Sequence, residues 1–367
     1  NEKGAPDIPD RLLQAQEEGK VVFFCGAGIS VSAGLPTFRD LVDSLYENLG
    51  DQYLKSESQK DALKANNLDL SIFLLEQHIQ NGKERVRKEI VHLLKSPIIT
   101  EATTSLHDSL LTLSRGRDNK TKLVTTNYDR IFEEIKADKK FNIYVAPFLP
   151  LVNFSWDGIV YLHGLLEDSE EVTHENLLVA SSADYGLAYL IDGWASRFLK
   201  DLFQTYSVCF IGYSLNDPLV RYMTDAIHAL RSENPRSLPE AFAFCPYSGS
   251  NAESEKEKWK NKGVTPIIYN QRHSHILLRK TMEEWGMLYQ RGHDWRAGVI
   301  QKLSSTKIRR SSLTQDVIGQ MVWALRDPTG RASKKFAETI PVFDFSWLDA
   351  IAEYKYDYET LEPIAES

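Results

Sequence analysis

Seven short apolar runs along the chain predict strands, and the segments between several of them have the spacing of amphipathic helices. Strands that alternate with helices favour a parallel sheet with helices on both faces. The sequence therefore predicts a doubly wound α/β fold, in which ligands bind beyond the carboxyl ends of the strands. The predicted strands are residues 20–25, 122–126, 142–146, 159–163, 207–211, 240–245 and 264–269, and the clearest predicted helices outside the insertion described next are residues 8–19, 185–205 and 216–231.

A long helical segment separates the first two predicted strands. From about residue 41 to residue 115, apolar residues recur three and four positions apart, as they do on one face of a helix. This pattern predicts a helical insertion subdomain. Two roles for it stay open at this point, a packed helical layer with no direct role and a layer that gates a substrate.

The pattern changes after about residue 300, which predicts one large domain over residues 1–300 and an extension over residues 301–367. A helix is predicted at 313–326. Residues 343–358 are dense in aromatic side chains but carry few helical or strand signals, so we expect this segment to dock rather than to form an independent domain. It packs either against its own domain or against a partner.

The composition and charge limit the classes of partner. With 367 residues, of which 42% are hydrophobic, the chain is large enough to bury a substantial core. A formal net charge of -8 argues against direct nucleic-acid binding, because such binding depends on neutralising phosphates. The apolar runs are too short to span a membrane, and the first residues lack the core of a signal peptide. We therefore expect a cytoplasmic protein that binds neither nucleic acid nor membrane.

The three cysteines, Cys25, Cys209 and Cys245, each lie in an apolar run and are predicted to be small buried residues of strands. The sequence contains no Cys-x-x-Cys pair, the spacing on which zinc ribbons depend. We therefore expect neither bound zinc nor a zinc ribbon.

The first predicted strand ends in Gly26, Ala27 and Gly28, and a helix is predicted to open directly after them. Such a turn lets the backbone approach a pyrophosphate, while the N–H groups of the helix start act as donors. The turn makes the fold Rossmann-like. The dehydrogenase fingerprint, however, requires a third glycine where this chain has Val31, so the chain departs from that class.

Polar motifs follow the other predicted strands in a recognisable order. They are TTNYD at 125–129, YLHG at 161–164 and GYSLNDP at 212–218, and they follow GAGIS at 26–30 and PTFR at 36–39. In order and spacing these five motifs resemble those of the sirtuin (SIR2) family. In residue identity they resemble those of bacterial sirtuin-like antiphage effectors. The resemblance covers most of the predicted large domain.

The resemblance implies an NAD⁺ glycohydrolase that uses NAD as its substrate and gives nicotinamide and ADP-ribose. Asn127 matches the asparagine that orients the ribose, and His163 matches the catalytic histidine, whose near-neutral pKa would suit proton abstraction. Asp129 either orients the asparagine loop, polarises a ribose hydroxyl or makes a structural hydrogen bond. The implied NAD-binding residues are Gly26, Ala27, Gly28, Ser30, Phe38, Arg39, Gly212, Ser214 and Asn216, with helix capping as the alternative for Asn216.

Two other classes of function stay open. An NAD-dependent protein deacylase or ADP-ribosyltransferase would use the same bond cleavage with another acceptor. The missing Cys-x-x-Cys pairs and Thr37, where deacylating sirtuins have Asp, count against deacylation. A non-catalytic nucleotide-binding assembly module is the third alternative, and the presence of Asn127 and His163 counts against it.

Control of the reaction is a further implication of the resemblance. An NAD hydrolase that is always active would deplete the cell, so the resemblance implies an effector of abortive infection that stays inactive until a phage infects. We expect a homo-oligomer, and a co-encoded ATPase, sensor or Argonaute-like protein as a partner. Asp184 and Tyr185 precede a predicted helix, and a capping or lid contact is expected of them.

Overall fold

The computed structural model describes residues 3–49, 56–95, 97–135, 141–153, 156–166, 178–214, 218–233, 238–292, 294–304, 312–327, 330–340 and 343–353. The chain divides into two compact units. The first comprises Asn1–Asp7 and Ala15–Glu283, and the second comprises Ile8–Gln14 and Glu284–Ser367.

One seven-stranded sheet forms the centre of the first unit, and every strand pair in it is parallel. The strand order is β3-β4-β2-β1-β5-β6-β7. All seven predicted strands are confirmed to within two residues at each end. The strands are β1 (Val21–Cys25), β2 (Lys122–Thr125), β3 (Ile143–Val145), β4 (Gly158–Tyr161), β5 (Ser207–Ile211), β6 (Ala241–Tyr247) and β7 (Thr265–Asn270).

The central position of β1 follows from its sequence. All five of its residues are buried, as are those of β5 beside it, which is typical of a parallel strand covered on both faces. β1 pairs with β2 on one side and with β5 on the other. The chain thus builds the sheet outward in two directions from β1, which confirms the doubly wound fold and places the expected ligand crevice at the carboxyl end of β1.

Helices cover the sheet and form the predicted insertion. The helices of the first part of the chain are α1 (Asp10–Glu17), α2 (Phe38–Leu49), α3 (Glu57–Lys64), α4 (Leu68–His78), α5 (Gly82–Leu94), α6 (Glu101–Ser114), α7 (Ile131–Glu134) and α8 (Ser182–Tyr185). The later ones are α9 (Trp194–Thr205), α10 (Pro218–Glu233), α11 (Ala252–Lys260), α12 (Arg272–Gln290), α13 (Asp294–Leu303), α14 (Ser312–Leu325), α15 (Arg331–Glu338) and α16 (Ser346–Glu353). None of the described helices is long and apolar enough to cross a membrane.

The helical insertion, α2 to α6, is confirmed. The apolar side chains of α2, α4 and α5 share one buried cluster that includes Leu45, Ile72, Val86 and Ile90, none of which is exposed. The periodicity read from the sequence therefore corresponds to the inner faces of these helices.

The predicted helix directly after Gly28 is wrong. Two short 3₁₀ turns, Ala27–Ile29 and Val31–Ala33, follow β1 instead. The second ends at Gly34, whose φ of +82° is left-handed and stops helical propagation. The first α-helix after β1, α2, begins only at Phe38, where the Thr37 hydroxyl accepts a hydrogen bond from the Asp40 backbone N–H at 3.2 Å.

The predicted single helix over residues 185–205 is also wrong. The chain forms α8, then a π-helical turn at Gly186–Ile191, and then α9. Gly193 separates the last two with a φ of +61°, a left-handed conformation that an α-helix does not contain. The break places Tyr185 and Tyr189 on a separate short element.

The second unit has a core of its own. Ile300, Met321, Ala324, Ala332 and Trp347 are buried together with no exposed surface. Trp347 belongs to α16, so the aromatic segment contains a helix where the sequence carried few helical signals. Residues 354–358 of that segment lie outside the described residues.

Candidate functional site

A cleft opens at the carboxyl ends of β1, β2 and β4, which are neighbours in the sheet. It contains about 580 Å³ of empty space, its open mouth included. Six of the predicted site residues line it, namely Ala27, Ser30, Phe38, Asn127, Asp129 and His163.

The cleft has two chemically different walls. The strand ends contribute polar side chains, of which Ser30 follows β1, Asn127 follows β2 and His163 follows β4. A second, apolar wall includes Leu41 and Leu94 of the helical insertion. The insertion therefore forms part of the cleft rather than a remote layer.

The amide of Asn127 is oriented by its hydrogen bonds. Its Nδ2 donates to Ser30 Oγ at 3.1 Å and to the Gly26 carbonyl oxygen at 3.3 Å. Because a carbonyl oxygen only accepts, the nitrogen must be the atom that faces Gly26. Oδ1 is buried and has no hydrogen-bond partner among the described residues. A buried acceptor without a partner costs roughly 1–3 kcal/mol, so Oδ1 is suited to receive a donor from a ligand.

Ser30 links Asn127 to Asp129 and to His107. Its hydroxyl donates to Asp129 Oδ2 at 2.9 Å, and its oxygen also lies 3.2 Å from His107 Nε2. A hydroxyl has only one proton, so His107 must donate through Nε2–H if Ser30 donates to the carboxylate. All four side chains are less than a tenth exposed, which makes this a buried polar network.

Burial governs the charges of this network. It raises the pKa of Asp129, although hydrogen bonds from Ser30, from the Ile131 backbone N–H and from Asn127 partly oppose the shift. Burial also lowers the pKa of His107 to about 3, so this imidazole is neutral at physiological pH. A neutral His107 has the single ring N–H that the bond to Ser30 requires.

His107 is a site residue that the motifs did not indicate. It lies on α6, inside the helical insertion. A signal was nevertheless present, because Thr104, His107 and Ser114 share the buried face of this helix at positions where apolar residues would be expected. Polar residues on the inner face of an amphipathic helix require partners in the interior.

His163 is almost fully buried at the end of β4. Its Nε2 lies 2.9 Å from the Tyr189 hydroxyl, and its ring packs edge-on against Tyr185 with centroids 5.2 Å apart. Burial lowers the pKa of His163 to about 3, with a smaller opposing effect of the Asp184 carboxylate. The near-neutral pKa expected from the sequence is therefore wrong for this arrangement, and the ring is a neutral imidazole.

Asp184 caps α8 and joins it to the helical insertion, as expected of a capping residue. It accepts hydrogen bonds from the backbone N–H and the hydroxyl of Ser181. It also pairs with Lys83 at 2.8 Å and with the buried guanidinium of Arg87. Although burial alone would raise the pKa of Asp184, these two cations hold it below its ordinary value. Arg87 also lies 2.8 Å from Glu76, so two carboxylates and two cations balance.

The glycine-rich turn is held by bonds within the protein. The Gly26 N–H donates to the Ile211 carbonyl oxygen and the Gly28 N–H to the Gly212 carbonyl oxygen, both at 2.9 Å. A Cβ at Gly28 would lie 2.8 Å from the Gly212 oxygen, and Gly212 has a φ of +76°. The close approach of the β1 and β5 ends therefore requires these glycines, and the N–H groups of Gly26 and Gly28 are already engaged within the protein.

Two predicted NAD-binding side chains, those of Arg39 and Ser214, are not among those that line the cleft. Arg39 donates to Asp43 and to the Leu63 carbonyl oxygen, each at 3.0 Å, and is not among the described lining residues. Ser214 is exposed beyond β5 and is not among them either. Asn216 lies outside the described residues.

The described residues contain no group of three or more histidine, cysteine or acidic side chains placed to hold a metal ion. Cys25, Cys209 and Cys245 are free and buried in β1, β5 and β6, which confirms the prediction that they are buried strand residues. Burial raises the pKa of all three thiols.

Residues 121–267 match the model of the SIR2-like domain family, and this stretch carries Asn127, Asp129 and His163. The chain contains a SIR2-like domain. The matched stretch runs from β2 into β7. The glycine-rich turn and the helical insertion come before it in the chain.

Three relatives extend beyond the matched stretch. The chain is 29% identical over 357 residues to the Sinorhizobium fredii protein named uncharacterized protein y4cA, covering 95% of this chain and 29% of that protein. It is 23% identical over 226 residues to defense-associated sirtuin 2 of Bacillus subtilis, covering 61% and 21%. It is 25% identical over 233 residues to the NAD(+) hydrolase ThsA of Cytobacillus dafuensis, covering 62% and 42%. The chain thus spans less than half the length of each.

Proposed function

We propose that this chain is an NAD⁺ hydrolase that cleaves the nicotinamide–ribose bond to give nicotinamide and ADP-ribose. The observation that carries the proposal is the cleft in which Asn127, Asp129 and His163 meet at the ends of two neighbouring strands. The SIR2-like match and the relative named NAD(+) hydrolase ThsA support the choice of NAD as substrate.

The two walls of the cleft fit the two parts of the substrate that react. The apolar wall with Phe38 and Leu41 suits the flat nicotinamide ring, and the buried Asn127 Oδ1 offers an acceptor to a ribose hydroxyl. The described lining residues include no lysine or arginine that could bind the phosphates. Arg39, which was predicted to bind NAD, is paired with Asp43. The fit is therefore to the nicotinamide riboside half of NAD.

The reaction requires few protein groups. The bond between the ribose carbon and the nicotinamide nitrogen breaks, and its electron pair leaves with nicotinamide. A water oxygen then bonds to the same carbon and loses a proton, which the neutral imidazole of His163 accepts and passes to solvent. Asn127 fixes the ribose, and Ser30 with Asp129 fixes Asn127.

We further propose a role as an effector of abortive-infection antiphage defence, which rests on the relative named defense-associated sirtuin 2. In this role the chain acts as a homo-oligomer that a co-encoded ATPase, sensor or Argonaute-like partner activates, without binding nucleic acid itself. Light scattering of the protein, alone and with a co-encoded partner, measures both associations.

The deciding experiment is incubation of the purified protein with NAD, followed by chromatography of the products. We expect free nicotinamide and ADP-ribose, and we expect His163→Ala and Asn127→Ala each to lower turnover by about 100-fold or more. His78→Ala is the matched control, because His78 is exposed on α4, and it should retain full turnover with an unchanged melting temperature.

Other products would identify the other classes of function. ADP-ribose attached to protein, or consumption of NAD only with an acylated peptide, would indicate a transferase or a deacylase. Unchanged NAD in the presence of the activating partner would indicate a non-catalytic nucleotide-binding module.

A further inference from the structure

Tyr189 is the polar group that contacts the ring nitrogen of His163. Its hydroxyl lies 2.9 Å from His163 Nε2. His163 is a lining residue of the cleft, whereas Tyr189 is not among the described ones. The Nε2 edge of the imidazole is thus occupied by the protein, and Nδ1 is the nitrogen to which the described residues offer no hydrogen bond.

The hydrogen bond at Nε2 bears on which ring nitrogen of His163 can act as a base. A neutral imidazole carries one N–H and one lone pair, and the hydrogen bond at one nitrogen determines which nitrogen holds the proton. His163 can accept a proton at Nδ1 only if Nε2 keeps its hydrogen and donates it to Tyr189. A phenol oxygen accepts that bond without adding charge to a buried site.

We propose that Tyr189 is a positioning residue that fixes the Nε2–H tautomer and the ring plane of His163, so that Nδ1 serves as the base. This inference rests on the proposed NAD hydrolysis. The bond from Nε2–H to Tyr189 persists when Nδ1 takes up a proton, because both nitrogens of an imidazolium are donors. The ring therefore keeps its orientation through the transfer, and Tyr189 itself neither gains nor loses a proton.

The element that carries Tyr189 is braced on two sides. Tyr189 stacks on Tyr185 with centroids 5.6 Å apart and an angle of 19° between the rings. Tyr185 in turn packs edge-on against His163 at 83°. The Tyr189 carbonyl oxygen accepts a hydrogen bond from Ser196 Oγ at 2.5 Å, which ties the π-helical turn to α9. π-Helical turns inside helices are frequent at functional sites, where they redirect a side chain.

The Asp184 cap supports the same element from the other end. Asp184 immediately precedes Tyr185 and is paired with Arg87 of the helical insertion, and both side chains are buried. The two tyrosines are therefore fixed between α9 and α5 rather than carried by an unconstrained loop. The Tyr189 oxygen is therefore held beside Nε2, where it can accept the Nε2–H bond and keep the plane of the His163 ring.

The kinetic test compares Tyr189→Phe with Tyr206→Phe. Tyr206 is a buried tyrosine of the same core, and its hydroxyl donates to the Asn153 carbonyl oxygen at 2.7 Å, away from the cleft. Each variant loses one hydroxyl and with it the hydrogen bond given above. We expect Tyr189→Phe to lower kcat about tenfold with KM within about twofold, and Tyr206→Phe to keep both constants.

Equal kcat values for the two variants and the unchanged protein would overturn the proposal. So would a rise in KM without a change in kcat, because that pattern indicates loss of binding rather than of a correctly oriented base.

A second measurement does not depend on NAD cleavage. ¹⁵N NMR of histidine-labelled protein reports the tautomer of His163, whose signal is assigned by its loss in His163→Ala. We expect Nε2–H in the unchanged protein and a mixture of tautomers in Tyr189→Phe. An Nδ1–H tautomer in the unchanged protein refutes the inference even if NAD is hydrolysed. If NAD stays intact while the Nε2–H tautomer is found, the proposed hydrolysis fails and the positioning of His163 by Tyr189 stands.

Discussion

The hydrogen-bond order around Ser30 depends on one proton of His107. Ser30 Oγ accepts from Asn127 and donates to Asp129, so its remaining lone pair requires a donor, which His107 Nε2–H supplies. A side chain of similar length without an N–H would leave that lone pair without a donor. Ser30 would then lose one of the three hydrogen bonds that hold its hydroxyl in place. Asn127 would then lose the partner that orients its amide.

We therefore predict opposite results for two substitutions of His107. Glutamine places an amide N–H close to the position of Nε2, so His107→Gln should keep most of the NAD turnover. Methionine has a similar shape but no donor, so His107→Met should lower kcat about tenfold while the protein stays folded. Turnover beside a thermal melt measures both effects. Equal turnover of the two variants would show that the donor does not matter.

The sequence predicted only part of this network. Asn127 and His163 were predicted because each follows a strand, and the carboxyl ends of parallel strands meet at one edge. His107 was missed because it lies within a helix and joins the network only through the packing of α6. The role of Arg39 in NAD binding stays a prediction. Its contacts to Asp43 and Leu63 depend on the fold of the insertion, which the motif at 36–39 does not indicate.

At the level of elements, the contact between α5 and α8 contains a buried group of charged side chains. Arg87 lies between Glu76 and Asp184, and these three side chains are at most 5% exposed. Burial raises the pKa of Glu76, and Arg87 opposes this shift. The group is stable only as a whole, because removal of one charge leaves a buried partner uncompensated.

We predict that Asp184→Asn lowers the free energy of unfolding by about 3–5 kcal/mol, since it removes one carboxylate and the cap of α8 together. Asp43→Asn is the matched control. Asp43 pairs with Arg39 at the surface, both side chains being more than two fifths exposed, so its loss should cost less than about 1 kcal/mol. Urea unfolding of both variants gives the two values. A cost for Asp184→Asn no greater than that of the control would contradict a structural role for the buried charges.

Element boundaries show where sequence patterns stop being informative. Residues 185–205 have helical spacing throughout, yet the chain changes from a π-helical turn to an α-helix at Gly193. A π-helical turn has more residues per turn than an α-helix, but this one has only six residues, too few for hydrophobic spacing to locate the break. Gly34 ends the 3₁₀ turns after β1 in the same way. Glycine was the available signal at both positions, but a glycine alone does not specify a left-handed φ.

At the level of the whole molecule, two buried imidazoles link stability to pH. Burial lowers the pKa of both His107 and His163 to about 3, whereas the unfolded chain has a histidine pKa of about 6.5. Between these values the unfolded state binds more protons than the folded state. Stability therefore falls as pH falls below about 6.5, by up to roughly 1.4 kcal/mol per pH unit for each imidazole, and is unaffected by these groups above it.

We predict a lower free energy of unfolding at pH 5 than at pH 7, and a smaller difference in His107→Gln, which lacks one of the two imidazoles. Asp129 has the opposite effect on the pH dependence of stability. Because its pKa is raised in the folded protein, the folded state takes up a proton before the unfolded state does as pH falls, and this adds stability. Urea unfolding at pH 5, 6 and 7 measures the dependence. An identical dependence in the unchanged protein and in His107→Gln would mean that His107 is not buried as a neutral ring.

The division into two units was beyond what local patterns could predict. The sequence predicted a leading helix and a separate C-terminal segment, but not that Ile8–Gln14 belongs to the same unit as Glu284–Ser367. Periodicity indicates that a helix has an apolar face without indicating which core receives it. The strands were easier to predict, because continuous apolar runs in a parallel sheet are buried whatever their neighbours.

The second unit permits a test that separates its stability from the chemistry of the cleft. Trp347 has no exposed surface and packs in the core of that unit, with Phe343 edge-on at 6.0 Å. Every described residue that lines the cleft belongs to the first unit. We predict that Trp347→Ala destabilises the second unit by about 3–5 kcal/mol, as large-to-small substitutions in cores do.

The neighbouring Phe345 is the matched control, because it is 80% exposed and Phe345→Ala removes an aromatic ring without opening a cavity. Hydrogen exchange measured by mass spectrometry should show lost protection in α13 to α16 for Trp347→Ala, retained protection in β1 to β7, and neither change for Phe345→Ala. The rate of NAD cleavage at low temperature should persist in both variants. If protection in the sheet falls together with that in α13 to α16, the two units unfold as one and the second core is not independently stable.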